Sequence, residues 1–379
     1  MNNKVKLFFA GDFCSKPSTS VITVSDELRK VIQSCDVKLV NFEVPLKPNV
    51  SLPPQPVERF WQNDDAPDFL RGLGFSLFSI ANNHAFDWGE DGYRKTKTAL
   101  GEDAFGAGTY NEAYKAKIVE VNGFKIGFLA LSYAAYTGVF DDVLHHEGLG
   151  CAYINDLRVN HDIMETKKQV DYLFVLPHDG IEYIDVPMPE TIAKYRDFIE
   201  YGADGVIGSH PHCPQGWEVY KGKPIFYSLG NFFFNSKKTP GFRADKPHWY
   251  EGLCVVLEVE DETLKYEVYN TKNIDNVKLI LDDNVSRLNH NHQLCAYLND
   301  PSKYSEYLQR QCERLAKEKE MPIIDTTFHK ETIKRCSKLL LKSWYRLLRK
   351  KEVSSDFSLK TLLRNDTRKS LLIRSMYKN

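Results

Sequence analysis

The sequence lacks an apolar run long enough to cross a membrane. Its longest charge-free stretch, Ile126–Phe140, holds about 15 residues and includes Ser, Thr and Gly, whereas a spanning helix needs about 20 mainly apolar residues. It also lacks any CxxC pair. The eight cysteines, at 14, 35, 151, 213, 254, 295, 312 and 336, are scattered, which suits free thiols in a reducing compartment better than a disulfide framework or a zinc knuckle. There is no GxSxG elbow, no Walker loop and no dinucleotide fingerprint, since Gly106-x-Gly108 wants its third glycine. No internal repeat is visible. The apolar stretch Val5–Ala10 is too short for a signal-peptide core, so the expected location is the cytoplasm. What remains is an ordinary globular composition: 379 residues, 42% hydrophobic, 27% charged, 22 Gly and 17 Pro. That length allows two or three domains and excludes collagenous, coiled-coil and mostly disordered classes.

A net charge of −1 conceals two unlike parts. Residues 329–379 hold fifteen Lys and Arg against four acids, a net +11, which leaves −12 on the preceding 328 residues. The first part alternates short apolar runs with helical patterns. Strands are expected at Lys4–Ala10, Val37–Phe42, Ser76–Ala81, Lys117–Val121, Lys125–Leu131, Tyr172–Pro177, Gly205–Gly208, Trp217–Tyr220, Pro224–Ser228, Leu253–Glu260 and Leu264–Asn270. Helices are expected near Ser25–Ser34, Gly89–Leu100, Asn155–Gln169 and Pro189–Tyr201. Asn122-Gly123 signals a type I′ hairpin, and Lys221-Gly222-Lys223 and Asp261-Glu262 read as further tight connections. Lys47–Pro56 reads as a proline-rich surface loop. The strand pattern is expected to stop near Thr271, with short helical patches over Ile274–Ala316, giving an α/β domain with mixed sheets over 1–270 and a helical, basic extension over 271–379.

Chemistry gathers where apolar strands end, the usual place for a site in an α/β sheet. Five strand ends carry Gly11-Asp12, Asn41-Phe42-Glu43, Asn82-Asn83-His84 (with Asp87 beyond), His178-Asp179-Gly180 and Gly208-Ser209-His210-Pro211-His212. Any one of them alone reads as a helix cap or a turn residue; the set reads as a site. Carboxylate, imidazole and amide oxygen without clustered thiolates favour Mn²⁺, Fe or Zn²⁺. A carboxylate bridging two cations would suit an in-line phosphoryl displacement, with a bound water made more acidic.

The order GD…NFExPL…ANNHxxDxG…HxGxEY…GxHPHxxQGxExYxGxPIxYSLGNF resembles the poly-γ-glutamate capsule-synthesis (CapA-type) family, which belongs with the calcineurin-like metallophosphatases. The resemblance covers roughly residues 4–260 and implies a four-layer αββα sandwich. It also implies that Asp12 and His212 bind a first metal, that Glu43 bridges, and that Asn83, His178 and His210 bind a second. His84 would assist the leaving oxygen, and Asp87 would either hold the His84 imidazole or cap the following helix. Glu182 and Tyr183 would line the pocket, and Asn231 would line it or belong to a packed turn. Cys14 stands where other metallophosphatases place a first-metal histidine; it is open to ligation or to packing, and occupancy by one ion rather than two stays open. Ser209 and Asp179 replace a His and a Trp frequent among relatives. Cys213 reads as pocket-wall packing.

The function so implied is that of a metal-dependent phosphoesterase-type hydrolase in capsule or surface-polymer synthesis, acting on an anionic polymer or a phosphorylated precursor. The alternative is a capsule-assembly factor with a vestigial or structural metal site. In the basic region Glu331–Lys351 patterns as an amphipathic helix, with Ile333, Cys336, Leu340, Trp344, Leu347 and Leu348 on one face and Lys334, Lys338, Lys342, Arg346 and Arg349 opposite. Ser354–Tyr377 could add a second helix. The first either docks on the domain or lies on an anionic membrane surface or the capsule-synthesis machinery, which would place the chain at the inner face of the membrane. No nucleic-acid fold accompanies the charge.

Overall fold

The computed structural model describes residues 4–52, 59–134, 138–140, 147–235, 246, 248–260 and 263–318. The basic helix over 331–351, the segment 354–377, the Asp261-Glu262 connection and the end of the proline-rich loop lie outside the described residues. No helix among the described residues is long and apolar enough to cross a membrane.

Two sheets form the centre. The larger runs, in spatial order, Thr23–Val24, Lys278–Leu281, Thr263–Ile274, Glu251–Glu260, Lys4–Ser15, Val37–Phe42, Leu77–Ser79 and Ala104–Phe105, with Asn231–Asn235 also pairing Lys4–Ser15. The smaller runs Trp217–Tyr220, Lys223–Phe226, Gly205–Ile207, Tyr172–His178, Phe124–Ser132 and Lys117–Val121. Its four inner strands are parallel, and a hairpin closes each edge. The hairpin turns are those the sequence predicts: Asn122 and Gly123 have φ of 50° and 87°, and Lys221 and Gly222 have 51° and 79°. Positive φ at both central residues is the requirement of a type I′ turn.

The period of two in the strands explains the layering. In Lys4–Ser15, Val5, Leu7 and Phe9 face the second sheet and pack with its Phe128, Phe174 and Leu176, alongside Val255 and Leu257 of the neighbouring strand. The rings of Phe9, Phe128 and Phe174 meet with centroids 5.7 to 6.1 Å apart. Phe8 and Ala10 point the other way, toward Leu28 and Ile32 of helix Asp26–Gln33 and Leu70 of helix Ala66–Gly72. On the outside of the smaller sheet Leu173 and Val175 meet Val159 and Ile163 of helix Arg158–Lys167 and Tyr195 and Phe198 of helix Pro189–Glu200. Each such side chain contributes about 1.5–3 kcal/mol on burial. The result is the expected αββα order.

Three expectations need correction. The sheet does not stop at Thr271: one strand continues to Ile274 and another, Lys278–Leu281, pairs back on it, so a division at 270/271 falls inside a strand. The following residues are not short helical patches but two helices, Val285–Leu298 and Pro301–Glu318. The first is capped by Asn284, whose side chain accepts from the Ser286 and Arg287 amides. Their apolar residues Leu294, Tyr304, Leu308, Cys312 and Leu315 join a cluster with Ile181, Tyr183, Ile184 and Trp249. Third, YSLGNF is a packed turn only as far as Gly230, at φ 65°, and Asn231 already begins the strand Asn231–Asn235.

Candidate metal centre

Asp12 is set by a change of partner along its strand. Up to Ala10 the strand pairs antiparallel with Glu251–Glu260. Beyond that point it pairs parallel with Asn231–Asn235, with a register shift between Asp12 and Phe13. The Asp12 amide donates to the Gly230 carbonyl at 2.9 Å. Such a bulge re-aims a side chain and commonly borders sites. The Asp12 carboxylate accepts from Asn41 Nδ2 at 2.7 Å and from the His210 amide at 3.1 Å.

The other strand ends converge on it. His178 Nε2 lies 2.8 Å from Asn83 Oδ1, 3.2 Å from His210 Nδ1 and 3.9 Å from Glu43 Oε1. His212 lies 3.6 Å from Asp12 through Nδ1 and 3.7 Å from Glu43 through Nε2. Glu43, His210 and His212 form one set of potential ligands, and Asp12, Glu43 and His178 form another, with the atoms of each set within 4.8 Å of one another. Glu43 belongs to both. The resemblance groups Asp12 with His212 and His178 with His210; those contacts exist as well, so all five form one cluster. Asn83 joins it through His178.

The electrostatics favour a cation. Asp12, Glu43 and His210 are each 0% exposed. Both Glu43 carboxylate oxygens are buried with no hydrogen-bond partner among the described residues, a state that costs about 1–3 kcal/mol per neutral group and more for a charged one. Burial, then the charges of Asp12, Glu182 and Asp87, pushes the Glu43 carboxyl well up. Burial likewise raises Asp12. It drives His178 well below the usual imidazole range, with His210 and His212 adding to the effect, and lowers His212. Every one of these shifts penalises the protein's own charge in a site whose donors are oxygen and imidazole nitrogen. A divalent ion would offset the buried carboxylate charge, the lowered histidines are held in the neutral form that can ligate one, and the donor set suits Mn²⁺, Fe or Zn²⁺.

Neighbours fix these side chains. Asn231 Oδ1 lies 2.9 Å from His212 Nδ1, leaving Nε2 toward Glu43. Asn41 Nδ2 and Ser209 Oγ both lie 3.1 Å from His178 Nδ1. Gln62 holds the Glu43 and Val44 carbonyls at 2.9 and 3.2 Å. Val44, Tyr183, His210 and His212 adopt φ of 72°, 67°, 101° and 55°. Non-glycine residues in that region cost about 1–3 kcal/mol each and concentrate at functional sites.

His84 stands beside the cluster. Its Nδ1 lies 2.9 Å from Asp87 Oδ2, which also accepts from the Phe60 amide at 2.7 Å. Burial opposes the charged imidazole, but the charge and hydrogen bond of Asp87 outweigh it and raise the His84 pKa. Asp87 does not cap the helix Gly89–Leu100, whose cap position is Trp88. Glu182 is half-buried and its charge reaches Glu43, His84 and His212. Cys14 packs with Val44 and Phe234, and burial, then Glu43, keeps its thiol protonated; it belongs to neither ligand set. Cys213 is buried and protonated. Asp179 bonds Ser209 through its backbone.

Two aromatic walls are absent from the sequence reading. Tyr133 lies 4.4 Å from the His210 ring and Trp249 lies 4.9 Å from the His212 ring. Tyr133 follows a sixth strand end, Ser132, where the same strand-end logic applies. Trp249 carries no such signal.

Over 174 residues the chain is 32% identical to the capsule biosynthesis protein CapA of Bacillus anthracis, covering 44% of this chain and 42% of that one. Over 190 residues it is 35% identical to the PGA biosynthesis protein CapA of Bacillus subtilis, covering 46% of each. The chain thus matches somewhat under half the length of these curated relatives. A solved structure titled as a novel phosphatase of Mycoplasma pneumoniae superposes with a TM-score of 0.44 at 16% identity, covering 76% of this chain and 98% of that one. A family model described as bacterial capsule synthesis protein PGA_cap matches residues 6–236, a span that includes all of Asp12, Glu43, Asn83, His84, Asp87, His178, His210 and His212, and the chain belongs to that family.

Proposed function

We propose that the chain is a metal-dependent phosphoesterase in the synthesis of a capsule or related surface polymer, its substrate an anionic polymer or a phosphorylated precursor. The observation that carries this is the Glu43 carboxylate, wholly buried, shared by two ligand sets and without a hydrogen-bond partner among the described residues. Asp12, Glu43, Asn83, His178, His210 and His212 hold one or two divalent ions. Such ions supply Lewis-acid stabilisation of phosphoryl oxygens and acidify water. His84, charged to a higher pH than a free imidazole, gives a proton to the leaving oxygen, and Asp87 keeps that ring oriented. Asn41 and Asn231 hold Asp12, His178 and His212 in their ligating orientations.

The test is metal content together with turnover of phosphomonoesters, phosphodiesters and amide-linked polymers by the purified protein. Turnover of a phosphoester that His178→Ala abolishes, with loss of bound metal, supports the reading. His84→Ala is expected to retain metal and lose about 10²–10⁴-fold in kcat, the usual range for a general acid. Bound metal without turnover of any substrate class favours an assembly factor.

A pH profile tests Asp87. Because Asp87 raises the His84 pKa, protonated His84 is present at low pH and is lost as pH rises through its folded value. Asp87→Asn removes the raising charge, so the alkaline limb of kcat/KM moves to lower pH while the acid limb stays in place. Asp87→Glu restores part of the shift. A merely structural Asp87 would lower activity equally at all pH.

A further inference from the structure

A second convergence of imidazole and carboxylate lies outside the strand-end cluster and shares no residue with it. Asp185 follows the His178 strand, His248 precedes the strand Glu251–Glu260, and His290 lies on helix Val285–Leu298. His290 Nε2 is 3.0 Å and His248 Nε2 is 3.8 Å from the same oxygen, Asp185 Oδ2. One ligand atom from each residue lies within 4.8 Å of the other two. Tetrahedral bonds of about 2.1 Å place ligand atoms about 3.4 Å apart, between the two observed separations.

Two further observations point to a ligand. Asp185 is 5% exposed, and its Oδ1 is buried with no hydrogen-bond partner among the described residues. His248 is set up as a metal-ligating histidine usually is, with a carboxylate behind the ring. Glu251 Oε2 lies 2.6 Å from its Nδ1 and Arg287 Nη1 lies 3.1 Å from the same atom. The guanidinium has no acceptor capacity, so the Nδ1 proton goes to Glu251, which leaves Nε2 as the ring atom facing Asp185. Arg287, 2.8 Å from Glu251, balances that carboxylate. Tyr307 donates to Asp185 Oδ2 at 2.8 Å and orients it. The His248 and His290 side chains are 27% and 24% exposed, which leaves a path from solvent.

We propose that Asp185, His248 and His290 form a separate divalent-cation site of the zinc type, with three protein ligands and an open fourth position. Its occupancy ties the loop carrying Tyr183 and Asp185, the turn carrying His248 and Trp249, and the helix Val285–Leu298 to one ion. Trp249 and Tyr183 pack near His212, with centroids 4.9 and 6.4 Å away, so the ion braces one wall of the strand-end centre. The proposal does not depend on that centre binding metal. The competing reading is a metal-free network in which His290 and Tyr307 hydrogen-bond Asp185.

The experiment strips the full-length protein with chelator, reloads it with Zn²⁺ or Co²⁺ and measures bound metal per chain. His290→Asn and His248→Gln are each expected to hold one ion fewer than the unaltered protein, with far-UV circular dichroism unchanged. His178→Ala loaded with Co²⁺ is expected to keep the visible bands of a four-coordinate ion, and addition of His290→Asn to that background to remove them. Anomalous diffraction at the zinc edge, which needs no variant, should place a peak among the three side chains in zinc-soaked crystals. Equal metal content in all three proteins, or a zinc-soaked crystal with no peak there, overturns the proposal.

Discussion

Glu43→Gln is expected to abolish metal-dependent turnover, by about 10³-fold or more as for loss of a major electrostatic element, while leaving the metal-free protein as stable as before or more so. The two halves of this expectation have one cause. The carboxylate is 0% exposed and neither oxygen has a hydrogen-bond partner among the described residues. Without a cation it is a buried charge close to Asp12, and burial itself pushes its carboxyl toward the neutral form. An amide of nearly the same shape carries no charge to desolvate, and an unsatisfied neutral group costs less than an unsatisfied ion. With metal present the order reverses. A ligand at 100 times its Kd stabilises the native state by about 2.7 kcal/mol, and the variant, short of the carboxylate common to both ligand sets, loses that gain. Calorimetry on chelator-treated and metal-loaded samples of both proteins checks it. A Glu43→Gln protein that is clearly less stable than the original in chelator, and whose Tm still rises with metal, would show Glu43 to be a structural residue.

This trade also explains how much of the site was legible. The strand ends were readable because short apolar runs stop where Asp12, Glu43, Asn83, His178 and His210 begin, and the carboxyl ends of a sheet gather whatever its strands end on. Which residues orient those ligands was less readable. Asn231 sits in NFFFN, a run buried at every position. It follows directly on the Gly230 turn, and its pairing with Asp12 spans most of the domain. Trp249 and Tyr133 act through ring contacts that only tertiary packing creates. The helix Ala66–Gly72 is short, with a proline near its start. The strand Lys278–Leu281 has four residues beside an Asn- and Asp-rich turn, so local composition masks it. His248 and His290 are far apart in sequence, the first inside the domain read over 1–270 and the second in the extension read over 271–379. Motif spacing sees only residues that a strand end or a helix face brings together locally.

Gly11→Ala is expected to destabilise the protein by about 3 kcal/mol or more, or to prevent folding, although it adds one methyl group. A Cβ at Gly11 would come 2.0 Å from the Gly230 carbonyl oxygen and 3.0 Å from its carbon. That carbonyl cannot simply withdraw. It accepts the Asp12 amide at 2.9 Å, and Gly230, at φ 65°, is itself hemmed in by Pro214 and Cys213. Overpacking a core costs about 1–3 kcal/mol when side chains can shift; here backbone faces backbone, so the strands Lys4–Ser15 and Asn231–Asn235 must part. Asp12 and Asn231 lie on those strands, directly opposite one another. A folded fraction of the variant should therefore also lose bound metal. Gly72→Ala is the control, since a Cβ there meets nothing within 4 Å and Gly72 closes the helix Ala66–Gly72. It should be neutral or stabilising by up to about 1 kcal/mol. Urea denaturation midpoints and metal analysis separate the two. A Gly11→Ala protein within about 0.5 kcal/mol of the original, the range of inert surface changes, and fully metal-loaded would mean that the two strands do not approach as described, and that the bulge does not set the position of Asp12.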